Sequence, residues 1–254
     1  MVDVVAVEML CDLPSICIVM GDWIQMEPIK VTYFSDVLCI WAYASQARVE
    51  EVERRFGDKV QIEPRFCSIF GDTKGKIPAV WKTRGGYNGF NAHLQKVARR
   101  FSHIEVHPEI WLKTRPVSSA SVHLFMKAID QSLSEEPIGS NNSSSKVFDQ
   151  TLSAFRIAFF RDCRDIARWD VQCEIAEPLG VDIARIESCI QSGDAFALLA
   201  ADYQDAEKMR IEGSPSFVLN NGRQKLYGDV GFHLIEANIQ ELLRSPAMNE
   251  VSWC

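Results

Sequence analysis

Eight cysteines stand at positions 11, 17, 39, 67, 163, 173, 189 and 254, and one of them, Cys39, has a setting that invites chemistry. It falls in Y-F-S-D-V-L-C-I-W-A-Y, where an alternating apolar run gives way to a helical pattern. A thiol in the first turn of a helix faces unpaired backbone N–H groups and the positive end of the macrodipole, and both favour thiolate. The expectation is a Cys39 pKa below the free value of ~8.5 and a nucleophile usable near neutral pH. The competing reading is a small buried hydrophobe, since free cysteines often serve only to pack. Position by itself leaves both open.

A second feature lies far along the chain. Ser214-Pro215 immediately precedes S-F-V-L, a short strand pattern. Proline cannot donate to a sheet ladder and belongs at the first edge of a strand, as here. The other candidates are weaker. No C-x-x-C pair occurs, which argues against the common structural zinc site. His103 and His107 are four apart in H-I-E-V-H, which is not the H-E-x-x-H order that gives a helix two ligands and a base, so a loop or strand edge is expected there and no metal.

The elements that must position Cys39 and Pro215 are legible. Residues 29–34 alternate as a strand, and a helix is expected over 39–56, with Val49, Val52 and Phe56 as its buried stripe and Gly57-Asp58 as its end. Residues 60–66 alternate again, so the first 38 or so residues of this unit read as βαβ with parallel strands and a right-handed crossover. The middle of the chain is helical. Residues 85–91 read as a loop opening a helix to about 101. Two further helices carry Val122, Phe125, Met126, Ile129 and Leu133, then Phe148, Leu152, Phe155 and Phe159, with a polar hinge over 139–145 between them. Shorter helices are expected at 170–176, 182–190 and 194–209, each opened by an Asp that can cap. Asn221-Gly222 signals a type I′ hairpin between strands at 216–219 and 224–227, and Phe232, Ile235, Ile239 and Leu242 mark a closing helix.

Composition excludes several classes. Apolar residues make up 47% and charged residues 24% of 254, which is globular, and the net charge of −7 disfavours a nucleic-acid backbone as partner. The irregular cysteine spacing in a chain of this length argues against a secreted disulfide framework. The first 28 residues carry two short apolar patches, but Lys30 is the first basic residue, so a secretory signal is not expected and the patches are too short to span a bilayer. A cytoplasmic location follows as the expectation. The extension itself reads as an edge element or as sequence upstream of a start at Met20 or Met26.

The order strand–helix–strand, helical block, strand–strand–helix is that of a thioredoxin-like α/β fold split by an α-helical insertion. At this point a resemblance is explicit. Y-F-S-D-V-L-C-I-W-A-Y resembles the active-site stretch D-x-x-C-P-W-C-Y of the DsbA family, in particular its cytoplasmic branch of polyketide-biosynthesis dithiol–disulfide isomerases, with Asp36, Cys39, Trp41 and Tyr43 in place. G-S-P-S-F-V-L-N-N-G-R-Q-K-L-Y-G is similar to that family's cis-proline strand and turn, and F-F-R-D-C-R-D-I at 159–166 to its insertion. The resemblance covers about residues 29–243. It implies a thioredoxin-like domain at 29–84 and 210–243, a helical insertion at 85–209, an extension at 1–28 and a tail at 244–254.

For the site, the resemblance implies a thiol-dependent oxidoreductase or isomerase with Cys39 as nucleophile. It implies a cis Pro215 against that cysteine, and Ser214 and Trp41 binding an extended or thiol-bearing ligand. The departure is Ala42, which stands where the resolving cysteine belongs, and Ile40 replaces the intervening proline. A dithiol enzyme attacks with one sulfur and releases with the other, so three chemistries stay open. A mixed disulfide on Cys39 is resolved by glutathione or a substrate thiol; Cys39 positions glutathione for isomerisation or transfer; or a binding groove survives without catalysis. The second resembles kappa-class glutathione transferases and 2-hydroxychromene-2-carboxylate isomerases, whose Gly-x-Asp-Arg element is replaced here by Gly228-Asp229-Val230-Gly231. Cys67, just past the second strand, falls on the same rim as Cys39 and is the candidate substitute for the missing thiol. Cys163, Cys173 and Cys189 read as packing residues in helices. No bound cofactor is expected, with glutathione a co-substrate at most. Expected partners are a thiol-bearing protein or small molecule, with no nucleic acid and no membrane, and a homodimer is left open.

Overall fold

The structure, a computed structural model, describes residues 27–134 and 141–244, with backbone alone for 141–145. Residues 1–26 of the extension, the tail from 245 on, part of the expected hinge, and Cys11, Cys17 and Cys254 lie outside the described residues.

Strand β1 (Ile29–Ser35) is central. It runs parallel to β2 (Val60–Phe66), with Ile29 beside Val60 and Ser35 beside Phe66. On its other side it is antiparallel to β3 (Ser216–Leu219), which pairs with β4 (Gln224–Tyr227) in the order β2-β1-β3-β4. Pro64 is tolerated inside β2 because that strand is an edge, where one side makes no ladder bonds. The two-residue period sends Val31, Tyr33, Phe217 and Leu219 to one face. There they meet Val52 of α1 (Ile40–Phe56) and Ile235 and Ile239 of α9 (Phe232–Arg244). Phe34 and Val218 go to the other face, with Cys67 and Ala206.

Between β2 and β3 run α2 (Thr73–Val80), α3 (Gly86–Ala98), α4 (Ala120–Ser134), α5 (Asn141–Phe160), α6 (Trp169–Ala176), α7 (Ile183–Ser192) and α8 (Asp194–Lys208). Their core of Trp111, Phe125, Phe155, Phe159 and Phe160 excludes water and extends onto Val37, Leu38, Ile40 and Tyr43 at the start of α1. The helical block is thus built against the Cys39 end of the sheet. Asp202 of α8 fixes it further: fully buried, it accepts from Phe66 N at 3.0 Å and Arg65 Nη1 at 2.9 Å.

Several local expectations need correction. The helical block opens at Thr73 rather than 85, and α3 already includes 86–91, which were expected as loop. α5 begins at Asn141, so the polar run 141–145 is helix, not hinge; low packing value does not stop such residues from extending a helix anchored by Phe148, Phe155 and Phe159. Of the three expected aspartate caps only Asp182 caps, accepting from Arg185 N at 3.1 Å. Asp170 and Asp194 sit inside the first turns of α6 and α8, where their charge meets the positive helix end instead. The β3–β4 connection is longer than a two-residue hairpin: Leu219 pairs with Gln224, and Asn220, Asn221 and Gly222 all have positive φ, a conformation Asn and Gly accept readily. Cys163 lies past the end of α5, with φ +56°.

Candidate active site

The corner where β1 and β2 end is assembled by Asp36. After Ser35 the chain leaves the sheet, and Cys39 N–H closes a turn on the Asp36 carbonyl at 3.0 Å. The Asp36 carboxylate then gathers donors from three segments. Oδ1 accepts from Leu38 N at 2.9 Å, and Oδ2 accepts from Ile69 N at 3.0 Å, Phe70 N at 2.8 Å and Ser119 Oγ at 2.8 Å. These bonds hold the β1–α1 turn, the exit from β2 and the entry to α4 together. Burial outweighs them and pushes the carboxyl up to about 6, because removing the carboxylate from water costs more than its donors return.

Cys39 is the N-cap of α1, with φ −87° and ψ 118°. Its thiol donates to the Ser214 carbonyl at 3.1 Å, and the Ser214–Pro215 peptide is cis. Ser214 is doubly engaged, since its hydroxyl accepts from Asp36 N at 2.9 Å. A Cβ at Gly213 would lie 2.2 Å from the exposed Tyr227 ring, which would have to swing aside for any larger residue there. The structure therefore brings Cys39, Ser214 and Pro215 together. Trp41 does not join them through its ring, which packs edge-on against Phe101 with the Arg100 guanidinium 5.2 Å from its centre. Tyr43 is core, stacked on Phe160 at 5.0 Å.

The electrostatics reverse one expectation. The backbone N–H groups of Trp41 and Ala42 do favour the Cys39 thiolate, as does the Ser214 hydroxyl, but Cys39 is only 5% exposed, and burial pushes the thiol above its ordinary value, aided by the Asp36 charge. A depressed pKa and a ready thiolate near neutral pH are not what this resting arrangement provides. Desolvation outweighs the helix-start amides and the Ser214 hydroxyl together.

Two participants, His123 and Tyr203, carry no signal in the local sequence. His123 on α4 is fully buried and accepts from Val37 N at Nε2, 3.1 Å, so its proton sits on Nδ1 and is donated to the Tyr203 hydroxyl at 3.1 Å. The ring lies 3.8 Å from Asp36 Oδ1, a distance suited to an ion pair. Burial, with Arg156 adding repulsion, depresses it to about 3, so the contact is one with neutral imidazole. Cys67 is buried beside the same Ser214 hydroxyl, its thiol pushed strongly up by burial and then by Asp36 and Cys39. Asp36 was visible as an acid inside the apolar run Y-F-S-D-V-L; His123 and Tyr203 were visible only as members of helices.

The remaining candidates have ordinary duties. His103 Nε2 meets the Ala44 carbonyl at 2.9 Å, and His107 Nδ1 accepts from Glu109 N at 3.1 Å. Asp229, in the stretch compared with a glutathione-holding element, is taken by Arg48 at 2.8 Å and Arg100 at 2.9 Å. Cys163, Cys173 and Cys189 pack against the helical core. Among the described residues no helix is long and apolar enough to cross a membrane.

Comparison with known proteins agrees with this architecture. A ClpXP adapter protein, SpxH, from Halalkalibacterium halodurans is 22% identical over 241 residues, spanning 89% of this chain and 72% of its own. A protein disulfide isomerase candidate from Nitrosomonas europaea superposes with TM-score 0.68 at 15% identity, covering 86% of this chain and 99% of that one. The cytosolic disulfide reductase DsbM from Pseudomonas aeruginosa gives 0.59 at 18%, covering 85% and 98%, and has also been solved with GSH. A 2-hydroxychromene-2-carboxylate isomerase gives 0.54 at 15%, covering 87% and 100%. At these identities the structures speak for the fold alone. The family assignment comes from the chain itself: residues 30–240 match throughout, and the protein belongs to the DSBA-like thioredoxin domain family.

Proposed function

We propose that this protein is a thiol-dependent oxidoreductase or isomerase in which Cys39 is the nucleophile and carries the substrate as a mixed disulfide. The observation that carries this reading is the placement of the Cys39 sulfur: at the start of α1, on the Ser214 carbonyl, with the Trp41 and Ala42 amides turned towards it. An extended ligand that takes the Ser214 carbonyl for its own backbone frees the thiol, and the buried Asp36 carboxylate is the base within electrostatic reach. Asp36 is ionised above about pH 6. Ala42 cannot expel the bound thiol, so release requires another sulfur, with glutathione the proposed external co-substrate.

The raised thiol pKa bears on direction. Strong oxidants of this fold owe their potential to a stabilised thiolate in the reduced form. Burial here disfavours the Cys39 thiolate, which supports reduction or isomerisation of disulfides over oxidation of thiols. A cytoplasmic location fits that direction and the cytosolic DsbM relative in fold. Use of glutathione as in the hydroxychromene carboxylate isomerase is the weaker alternative, since Asp229 is already engaged by two arginines. The other reading is a binding protein on the same scaffold; the buried Cys39 and the adapter function named for SpxH favour it.

The deciding experiment is reduction of insulin by the full chain with glutathione as reductant. Cys39→Ser should lower the protein-dependent rate by about a hundredfold with the fold intact. Equal rates for both proteins, or none above glutathione alone, would leave the binding reading in its place.

A further inference from the structure

The site holds a second buried thiol that the proposed chemistry lacks a use for. Cys67 N–H donates to the Ser35 carbonyl at 3.1 Å, which continues the β1–β2 ladder one residue past the strands and sets Cys67 beside Asp36. Cys39 N–H closes a turn on that same Asp36 at 3.0 Å. Neighbouring strands lie ~4.8 Å apart, and a turn closed in this way keeps its ends within ~7 Å. Both cysteines are thus one short step from Asp36. On the side chains the meeting point is Ser214: its carbonyl takes the Cys39 thiol at 3.1 Å, and its hydroxyl lies beside both sulfurs. A disulfide needs Cα atoms within ~7 Å, so a Cys39–Cys67 link requires the Ser214 hydroxyl that both sulfurs share to move aside, as a ligand on this loop would make it do.

Resting on the reading of Cys39 as nucleophile, we propose that Cys67 is the resolving thiol, forming a Cys39–Cys67 disulfide across the β1–β2 rim in place of the missing C-x-x-C pair. The Cys67 sulfur attacks Cys39 of the mixed disulfide Cys39–S–S–R. The new Cys39–Cys67 S–S bond forms, the S–S bond between Cys39 and the substrate sulfur breaks, and its electron pair leaves with R–S. The proton of Cys67 passes to the Asp36 carboxylate and from there to the departing thiolate, which leaves as R–SH. Over the whole cycle the substrate disulfide gains two electrons and two protons, and the two cysteines lose them. Two molecules of glutathione restore the thiols and leave as glutathione disulfide. Burial and the Asp36 charge raise the Cys67 thiol in the resting protein; the third cause, the charge of Cys39, is removed once Cys39 is covalently bound.

The test uses the full chain and glutathione disulfide, with acid quenching, intact mass and peptide mapping under non-reducing conditions. Wild type should yield a cross-linked Cys39–Cys67 peptide with little glutathione left on Cys39. Cys67→Ser should keep the glutathione on Cys39, raising that adduct by about tenfold or more over wild type. Cys67→Ala serves as a second variant should a buried hydroxyl disturb the fold, and must show the same persistence. A wild-type protein that keeps glutathione on Cys39 as fully as both variants, with Cys67 still alkylatable after unfolding, overturns the resolving role and leaves the nucleophile standing. Cys39 free of glutathione in all three proteins overturns the nucleophile as well.

Discussion

The Asp36 corner and the cavity behind α1 both bury charged or polar side chains, and they treat them in opposite ways. In the corner Asp36 collects four donors and both nitrogens of His123 are used. The cavity, of about 340 Å3, lies between α1, β2, α4 and α5 and is lined by Ile62, Leu133, Phe148 and Leu152 with Tyr33 and Arg156. There Arg156, 1% exposed, donates to Gln46 Oε1 and Ser35 Oγ at 3.1 Å each, yet its Nε has no partner. The Tyr33 hydroxyl, near that of Ser45, likewise has no hydrogen-bond partner among the described residues. The comparison teaches that burial of a polar group is structural where its bonding capacity is met, and tolerated where part of it is left unpaired.

The sharpest way to break this contrast is Asp36→Ala. It would strand the Leu38 and Phe70 N–H groups and the Ser119 hydroxyl in a dry site, while Ile69 N–H keeps its bond to the Cys67 carbonyl, at about 1–3 kcal/mol for each group left unpaired. Unfolding in urea should show a loss of at least about 3 kcal/mol. A loss under about 1 kcal/mol would mean the corner relaxes and Asp36 is no keystone.

The next effect is a pH dependence. His123 titrates at 6.5 when free and at about 3 in the folded chain. Below pH 6.5 the unfolded chain takes up a proton that the folded one refuses, so this group withdraws stability as the pH falls towards 3. Asp36 acts with the opposite sign: its folded carboxyl, raised from 3.8 to about 6, binds a proton sooner than the unfolded one and adds stability as the pH falls through that window. The separation requires a difference. The stability of wild type relative to His123→Gln, which keeps an acceptor for Val37 N, should decline on acidification from pH 6.5. A flat difference would show that His123 is charged or reached by solvent in the native state.

The smallest effect belongs to the cavity. Arg156→Met removes two bonds that tie α5 to Gln46 of α1 and Ser35 of β1, but it also lifts the burial cost of a guanidinium whose Nε is unpaired, so loss and gain offset. A change within about 1 kcal/mol is expected. A loss comparable to that of Asp36→Ala would place Arg156, through Ser35, in the same keystone and erase the contrast between the two regions.

Much of the path to the site could be read from the chain because it obeys local rules. Strand alternation, the break at Ser35-Asp36, a helix stripe of Val49, Val52 and Phe56, and a proline at the mouth of a strand each depend on a few neighbours. Together they placed Cys39 and Pro215 on one edge of a thioredoxin-like sheet. The family motif then pointed to Ala42 as the missing partner. Caps and loop ends were read less well, since an Asp beside a helix start can cap it or merely sit in its field, and only the backbone angle decides.

What only the tertiary structure decided is the state of the thiols. The helix start argued for a lowered Cys39 pKa, and that argument is sound for the Trp41 and Ala42 amides. Desolvation is a sum over every group that displaces water, and those groups come from β1, the β2 exit, the Ser214 loop and α4. No window of sequence contains them together. The same holds for His123 and Tyr203, which look like ordinary members of α4 and α8, 80 positions apart, until folding closes the bond between them. Sequence determined which sulfur stands at the helix start; packing determined how much water, and therefore how much charge, that sulfur can hold.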